Sequence, residues 1–223
     1  GSPIRYNPGG VAGIYAKQNN RESLFSAMRS RETFGTSGPY IEPRFFAGWN
    51  LPEDICRTNS FLKRSYAGGV PMGSIIKNIE GKTSSPVFVA SAVRDPSEDS
   101  TPLQKLQIIK GWIDEQGNAH QRVFDVAGGG MNATVDRTNC SQSGTGYNQL
   151  CTTWTDPDFS PDVSGVYYLR VLENPSCRWS QFDCLALDPK TRPQTCSDPS
   201  IPSIIQERAW TSPIWYYAKT EEE

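Results

Sequence analysis

Few residues in this chain have both the type and the neighbours that chemistry needs. Its one histidine, His120, follows EQGNA in a stretch that reads as a hairpin turn, and local sequence places no serine or cysteine beside it. A histidine-dependent hydrolase needs a partner to orient the imidazole and a nucleophile or metal for it to act on, so His120 reads as a solvated turn residue. Gly128, Gly129 and Gly130 follow a strand-like run, but neither the lysine nor the helix signal of a phosphate loop comes after them. Asp156, Asp158 and Asp162, in DPDFSPDVSG, are spaced somewhat like a calcium loop. Two prolines and the missing glycine at the sixth position break that pattern, leaving a structural calcium or a plain Asx and Pro turn.

The basic residues Arg21, Arg29, Arg31 and Arg44 gather around TFGTSGP. Arg31 and Arg44 bracket that segment, whose amides and hydroxyls could face an anion, so Arg31, Thr36, Ser37 and Arg44 are the candidate substrate-binding residues. A solvated helix face is the plainer role for the arginines. Trp179 in RWSQFD and Trp210 in ERAWTSPIWY could stack on sugar rings, with core packing as the competing role.

These residues are positioned by a helix and a series of strands. NNRESLFSAMRSRETFGTSG predicts a helix capped by Asn19, with Glu22 closing a capping box and Leu24, Phe25, Ala27 and Met28 forming an apolar stripe. Gly35 and Gly38 with Pro39 are expected to end it and turn the chain into a half-buried strand, YIEPRFFAGW. VAGIYA, before the helix, reads as a buried strand, so strand and helix together look like half of a βαβ unit. Asn50 to Gly81 reads as an irregular connection laid over a sheet. From Pro86 onward six runs carry strand signals: PVFVASAVRD, LQKLQIIKGWID, QRVFDVAG, QLCTTWTD, GVYYLRVLE and ERAWTSPIWYYA. The second and third predict a hairpin, and the alternation in VYYLRVLE predicts a central strand. The fold class is therefore mainly β, an antiparallel β-sandwich preceded by a short α/β segment, divided as 1–40, a connection at 41–85 and a sandwich at 86–223.

The 36% hydrophobic residues, 19 glycines and 17 prolines fit short strands and many turns. With 22 basic and 24 acidic residues the net charge is -2, which provides no field to recruit nucleic acid or an anionic membrane surface. No apolar run approaches the roughly 20 residues that cross a bilayer as a helix. Cys56, Cys140, Cys151, Cys177, Cys184 and Cys196 lack the paired spacing of a zinc knuckle and read as disulfides, hence a secreted or periplasmic protein. Pairing is open among about 15 connectivities, with Cys140 to Cys151 the first expectation.

Several phrases together carry a resemblance: NPGGVAGIYAKQNNRESLFSAMRSRETFGTSGPYIEPRFFAGW, AGGVPMG, LQIIKGWID, VFDVA, WTDPDF, YYLRVLE and IQERAWTSPIWY. They resemble the carboxy-terminal part of large bacterial secreted proteins with a PHP-like (polymerase and histidinol phosphatase) metal-hydrolase domain. The resemblance implies a parent whose barrel holds divalent metals on clustered His and Asp ligands and hydrolyses an ester or phosphoester. Residues 1–40 would then be the last strand and helix of that barrel. No such ligand set is present in this sequence, so the chain itself is expected to hold no metal or other cofactor and to lack catalysis alone. The remainder of the barrel is the expected partner, with self-association a further possibility; the alternative function is a carbohydrate- or protein-binding sandwich module.

Overall fold

The structure is a computed structural model that describes residues 3–6, 9–98, 100–130 and 132–218. Its strands are β1 (Val11–Ile14), β2 (Thr33–Thr36), β3 (Glu42–Gly48), β4 (Val70–Pro71), β5 (Ile75–Lys77), β6 (Val87–Val93), β7 (Leu103–Ile113) and β8 (Ala119–Gly128). They continue with β9 (Thr134–Val135), β10 (Gln142–Ser143), β11 (Gln149–Thr155), β12 (Gly165–Glu173), β13 (Ser176–Cys177), β14 (Ile204–Ile205), β15 (Arg208–Thr211) and β16 (Ile214–Tyr217). The helices are α1 (Arg21–Arg29), α2 (Phe61–Gly68) and α3 (Trp179–Ala186).

Two sheets face each other. In the larger, β12 pairs with β7 along one edge and with β15 and β16 along the other, while β8, β2, β1 and β5 extend it outward. The smaller runs β11, β6, β3, β4. Period-two alternation sends Phe45, Ala47, Phe88, Ala90 and Leu150 inward from the small sheet, against Leu106, Ile108, Tyr167, Leu169 and Val171 from the large one. Phe88 stands 4.5 Å from Tyr167 and 5.7 Å from Phe45, centroid to centroid. The expected hairpin is β7 and β8, closed by Asp114 to Asn118, and the expected central strand is β12. ERAWTSPIWYYA does not form one strand. It divides at Pro213, which has no N–H for the ladder, and its halves β15 and β16 pair with opposite ends of the same edge of β12.

Asn50 to Gly81 is not irregular throughout: it contains α2 and the strands β4 and β5, which join the small and the large sheet respectively. Phe46 and Val89, on the outer face of the small sheet, pack with Leu51, Ile55 and Phe61, so β3 and β6 are covered on both faces. The chain returning from α2 must come close to β3: a Cβ built on Gly69 would stand 2.6 Å from the carbonyl oxygen of Ala47.

The amino-terminal helix departs from expectation at both ends. Its cap is Asn20, whose Oδ1 accepts the Ser23 N–H at 2.9 Å, so Ser23 takes the position expected for Glu22. It ends at Arg29, before the glycines. Arg31 turns the chain in the left-handed region at φ 56°, while its N–H bonds Met28 and that of Glu32 bonds Ala27, the Schellman pattern with arginine at the usual glycine position. TFGT is strand β2. It lies antiparallel and directly beside β1, not parallel as a βαβ half would require, and its other edge pairs with β15. The apolar stripe of α1 is mostly uncovered, with Phe25 56% and Met28 49% exposed and Ala27 buried.

All six cysteines are paired, as Cys56–Cys151, Cys140–Cys177 and Cys184–Cys196. The expected Cys140–Cys151 bridge is not made. Leu150 faces the core, so its neighbour Cys151 projects to the outer face, where the turn Ile55–Arg57 brings Cys56. Cys140 lies between β9 and β10, within reach of β13.

Candidate functional site

An open groove of about 800 Å3 with mixed aromatic and polar lining lies at the end of the large sheet where β7 turns into β8 and β12 begins. Its first wall is built by the hairpin. The register places His120 opposite Trp112, and the two rings stack at 5.3 Å with 19° between planes. Asp114 organises the turn: Oδ1 accepts the N–H groups of Gln116 at 3.0 Å and Asn118 at 2.8 Å, and Oδ2 lies 2.7 Å from His120 Nε2. The His120 contact, with these turn amides, holds the Asp114 carboxyl down at about 2. His120 is therefore an oriented member of the wall and not a free turn residue.

The second wall is β16. Alternation buries Ile214 and Tyr216 and turns Trp215 to the other face. Tyr216 donates its hydroxyl to the Pro161 carbonyl at 2.7 Å, and burial with the nearby Asp162 charge pushes it up to about 12. Trp215 is backed by Arg31, whose guanidinium carbon lies 5.0 Å from the ring centroid while Nε donates to the Gly73 carbonyl at 3.0 Å. Gly165 pairs with Trp112 on one side and Tyr216 on the other, so these share one face of the sheet, whereas Trp215, opposite Val166 and in the row of Gly111, lies on the other face; the groove wraps the end of the sheet between them. Ile113, Val166 and Tyr217 add apolar lining, and Glu115, Asp162, Ser160 and Ser164 supply polar groups. Flat apolar faces rimmed by carboxylates and hydroxyls suit a ligand with C–H faces and many hydroxyl groups.

The residues singled out from sequence scatter. Arg31 supports the groove from behind. Arg44 lies over the Tyr15 ring, its guanidinium carbon 3.2 Å from the centroid, and burial is the main cause that raises the Tyr15 hydroxyl. Thr36 is buried in β2, accepting the Gly38 N–H at 3.2 Å. Ser37 bonds the Glu207 carboxylate and accepts the Arg208 N–H at 2.9 Å. Trp179 donates Nε1–H to the Tyr6 carbonyl at 3.2 Å, and Trp210 pairs across from Arg170 and Gly35; neither lines the groove. Asp156 is committed to the core, 2.5 Å from Lys110 Nζ and 2.7 Å from the Tyr167 hydroxyl, and Asp158 pairs with Arg122. Among the described residues no group of three or more His, Cys, Asp and Glu side chains is arranged to hold a metal ion. Trp112 and Trp215 were hidden because each reads as an ordinary strand aromatic; counting the hairpin register back from a turn at Asp114 to Asn118 would have set Trp112 against His120.

Fold and site together define a disulfide-bonded, two-sheet β protein with an open aromatic groove at one end of its larger sheet. The chain belongs to the family described as Protein of unknown function (DUF3604), whose model matches residues 2–218. A search of curated proteins finds no match. Three intramolecular disulfides fit a non-cytoplasmic protein, and no helix among the described residues is long and apolar enough to cross a membrane.

Proposed function

We propose that this chain is an accessory β-sandwich of a secreted or periplasmic protein and that its groove binds a carbohydrate. The observation that carries this reading is the aromatic floor of Trp215, backed by Arg31, and Tyr217, which share one face of the sheet beside Gly111 and Val166, with carboxylates and hydroxyls around it. A sugar presents a C–H face to an indole and hydroxyls to the rim, so both kinds of lining are used at once. On the resemblance, hydrolysis of an ester or phosphoester belongs to the PHP-like, divalent-metal barrel of the parent, and the sandwich supplies binding alone.

The groove reading is tested by screening the whole chain on a glycan array and titrating the best ligand. Trp215→Ala and Tyr217→Ala are each expected to weaken binding about tenfold to a hundredfold, the loss of an aromatic anchor on the ligand-facing side of the sheet. A blank array, or variants that bind as well as the parent sequence, would end it. The exposed Phe25 and Met28 on α1 favour a second role, docking of residues 1–40 against the rest of the parent barrel. Phe25→Glu with Met28→Glu should then release the barrel, supplied as a separate chain, from this one; retained association, or self-association of this chain through α1, would count against that role.

A further inference from the structure

Opposite the groove, β12 ends in a second and chemically different pocket. Its nine residues carry the chain about 26 Å from Gly165 to Glu173. There the pairing with β7 shifts register between Leu172 and Glu173, an irregularity of the kind that re-aims a side chain. Glu173 is 2% exposed, and among the described residues its Oε1 has no hydrogen-bond partner. It lines a pocket of about 270 Å3 together with Asp95, Glu207, Ser97, Ser100, Thr101 and Pro39.

The other two carboxylates are already held. Asp95 Oδ2 accepts the Tyr40 N–H at 2.7 Å and its Oδ1 accepts the Ser97 N–H at 2.9 Å, while Glu207 takes the Ser37 hydroxyl. Among the described residues the charged groups facing Glu173 are Glu207, Asp95 and Arg94, two anions against one cation. Burial first, then Glu207 and Asp95, push the Glu173 carboxyl up to about 8. A buried carboxyl without a donor is costly, and the surrounding charge calls for a positive one. A primary ammonium provides a single positive charge and three N–H donors in a compact head.

We infer that this pocket binds the ammonium group of a small primary amine, with Glu173 as its principal acceptor and Glu207 and the hydroxyls of Ser97, Ser100 and Thr101 around it. Amine binding requires Glu173 ionised and the amine protonated. Ionisation of Glu173 grows as pH rises from about 6 toward about 8, while an alkyl ammonium keeps its proton to about pH 10, so affinity should strengthen over that interval. The same raised carboxyl favours the folded state while protonated, so this contribution to stability is lost as pH rises from about 4.5 through about 8; Glu173→Gln removes that dependence.

The test is calorimetric titration of the full chain with ethanolamine between pH 6 and pH 9, with ethylene glycol as the uncharged counterpart and calcium chloride as the inorganic cation. Saturable ethanolamine binding that strengthens with pH, is absent for ethylene glycol and falls at least tenfold in Glu173→Gln is the expected result. Glu207→Gln should weaken it less, and circular dichroism of both variants checks that they are folded. The inference is overturned if ethanolamine does not bind, if both folded variants bind it unchanged, or if calcium saturates the pocket where ethanolamine does not.

Discussion

Lys110→Met is expected to destabilise the fold by about 3–5 kcal/mol, because it leaves the Asp156 carboxylate in the core without its cation. The Asp156 side chain is fully buried and that of Lys110 is 8% exposed, with 2.5 Å between Nζ and Oδ2. The pair is embedded in further bonds: Lys110 donates to the Asp158 carbonyl at 2.8 Å, and the Tyr167 hydroxyl donates to Asp156 at 2.7 Å. Burial and the Asp156 charge hold the Tyr167 proton in place well above the ordinary phenol range, so Tyr167 serves as a fixed donor to Asp156. Urea unfolding would show the loss. Asp156→Asn in the Lys110→Met background should recover part of it, since the buried charge is then gone; a single-variant loss below about 1 kcal/mol would show that the pair contributes little.

Replacing Cys56 and Cys151 by serine is expected to cost about 4–5 kcal/mol, the largest loss among the three bridges. The bridge closes 95 residues, against 37 for Cys140–Cys177 and 12 for Cys184–Cys196, and the entropy withheld from the unfolded chain grows with the logarithm of loop length. It also pins the turn Ile55–Arg57 to β11, above the cluster of Phe46, Leu51, Ile55 and Val89. For a chain of this size that corresponds to a fall in Tm of roughly 10–15 °C, readable by calorimetry of the three paired variants. If removing Cys184–Cys196 proves the more damaging, loop entropy is not the controlling term.

Much of the strand inventory was legible because strand identity is local. LQKLQIIKGWID and VYYLRVLE place inward and outward residues two apart, and the structure keeps that alternation in β7 and β12. The helix at Arg21 was equally readable, though its cap slipped by one residue because Asn19 and Asn20 are chemically equivalent choices. Its end was misjudged for a sharper reason. Glycine is the usual left-handed terminator, whereas here Arg31 accepts that conformation with its guanidinium fixed between Gly73 and Trp215, residues 42 and 184 positions away.

What the sequence by itself determined is the kind of molecule: a mainly β chain with an even set of cysteines, a central strand at Tyr167 and a hairpin around Asp114. These follow from spacing along a few residues. The tertiary structure alone decided which cysteines meet, that β15 and β16 share one edge of β12, and that Trp112, His120 and Trp215 form one groove while Asp95, Glu173 and Glu207 form one pocket. Each site joins residues about 100 positions apart, Trp112 with Trp215 and Asp95 with Glu207, and no local pattern records such a meeting. It is set by how two sheets bury their common face, and the side chains at the ends of β12 are brought together as a consequence.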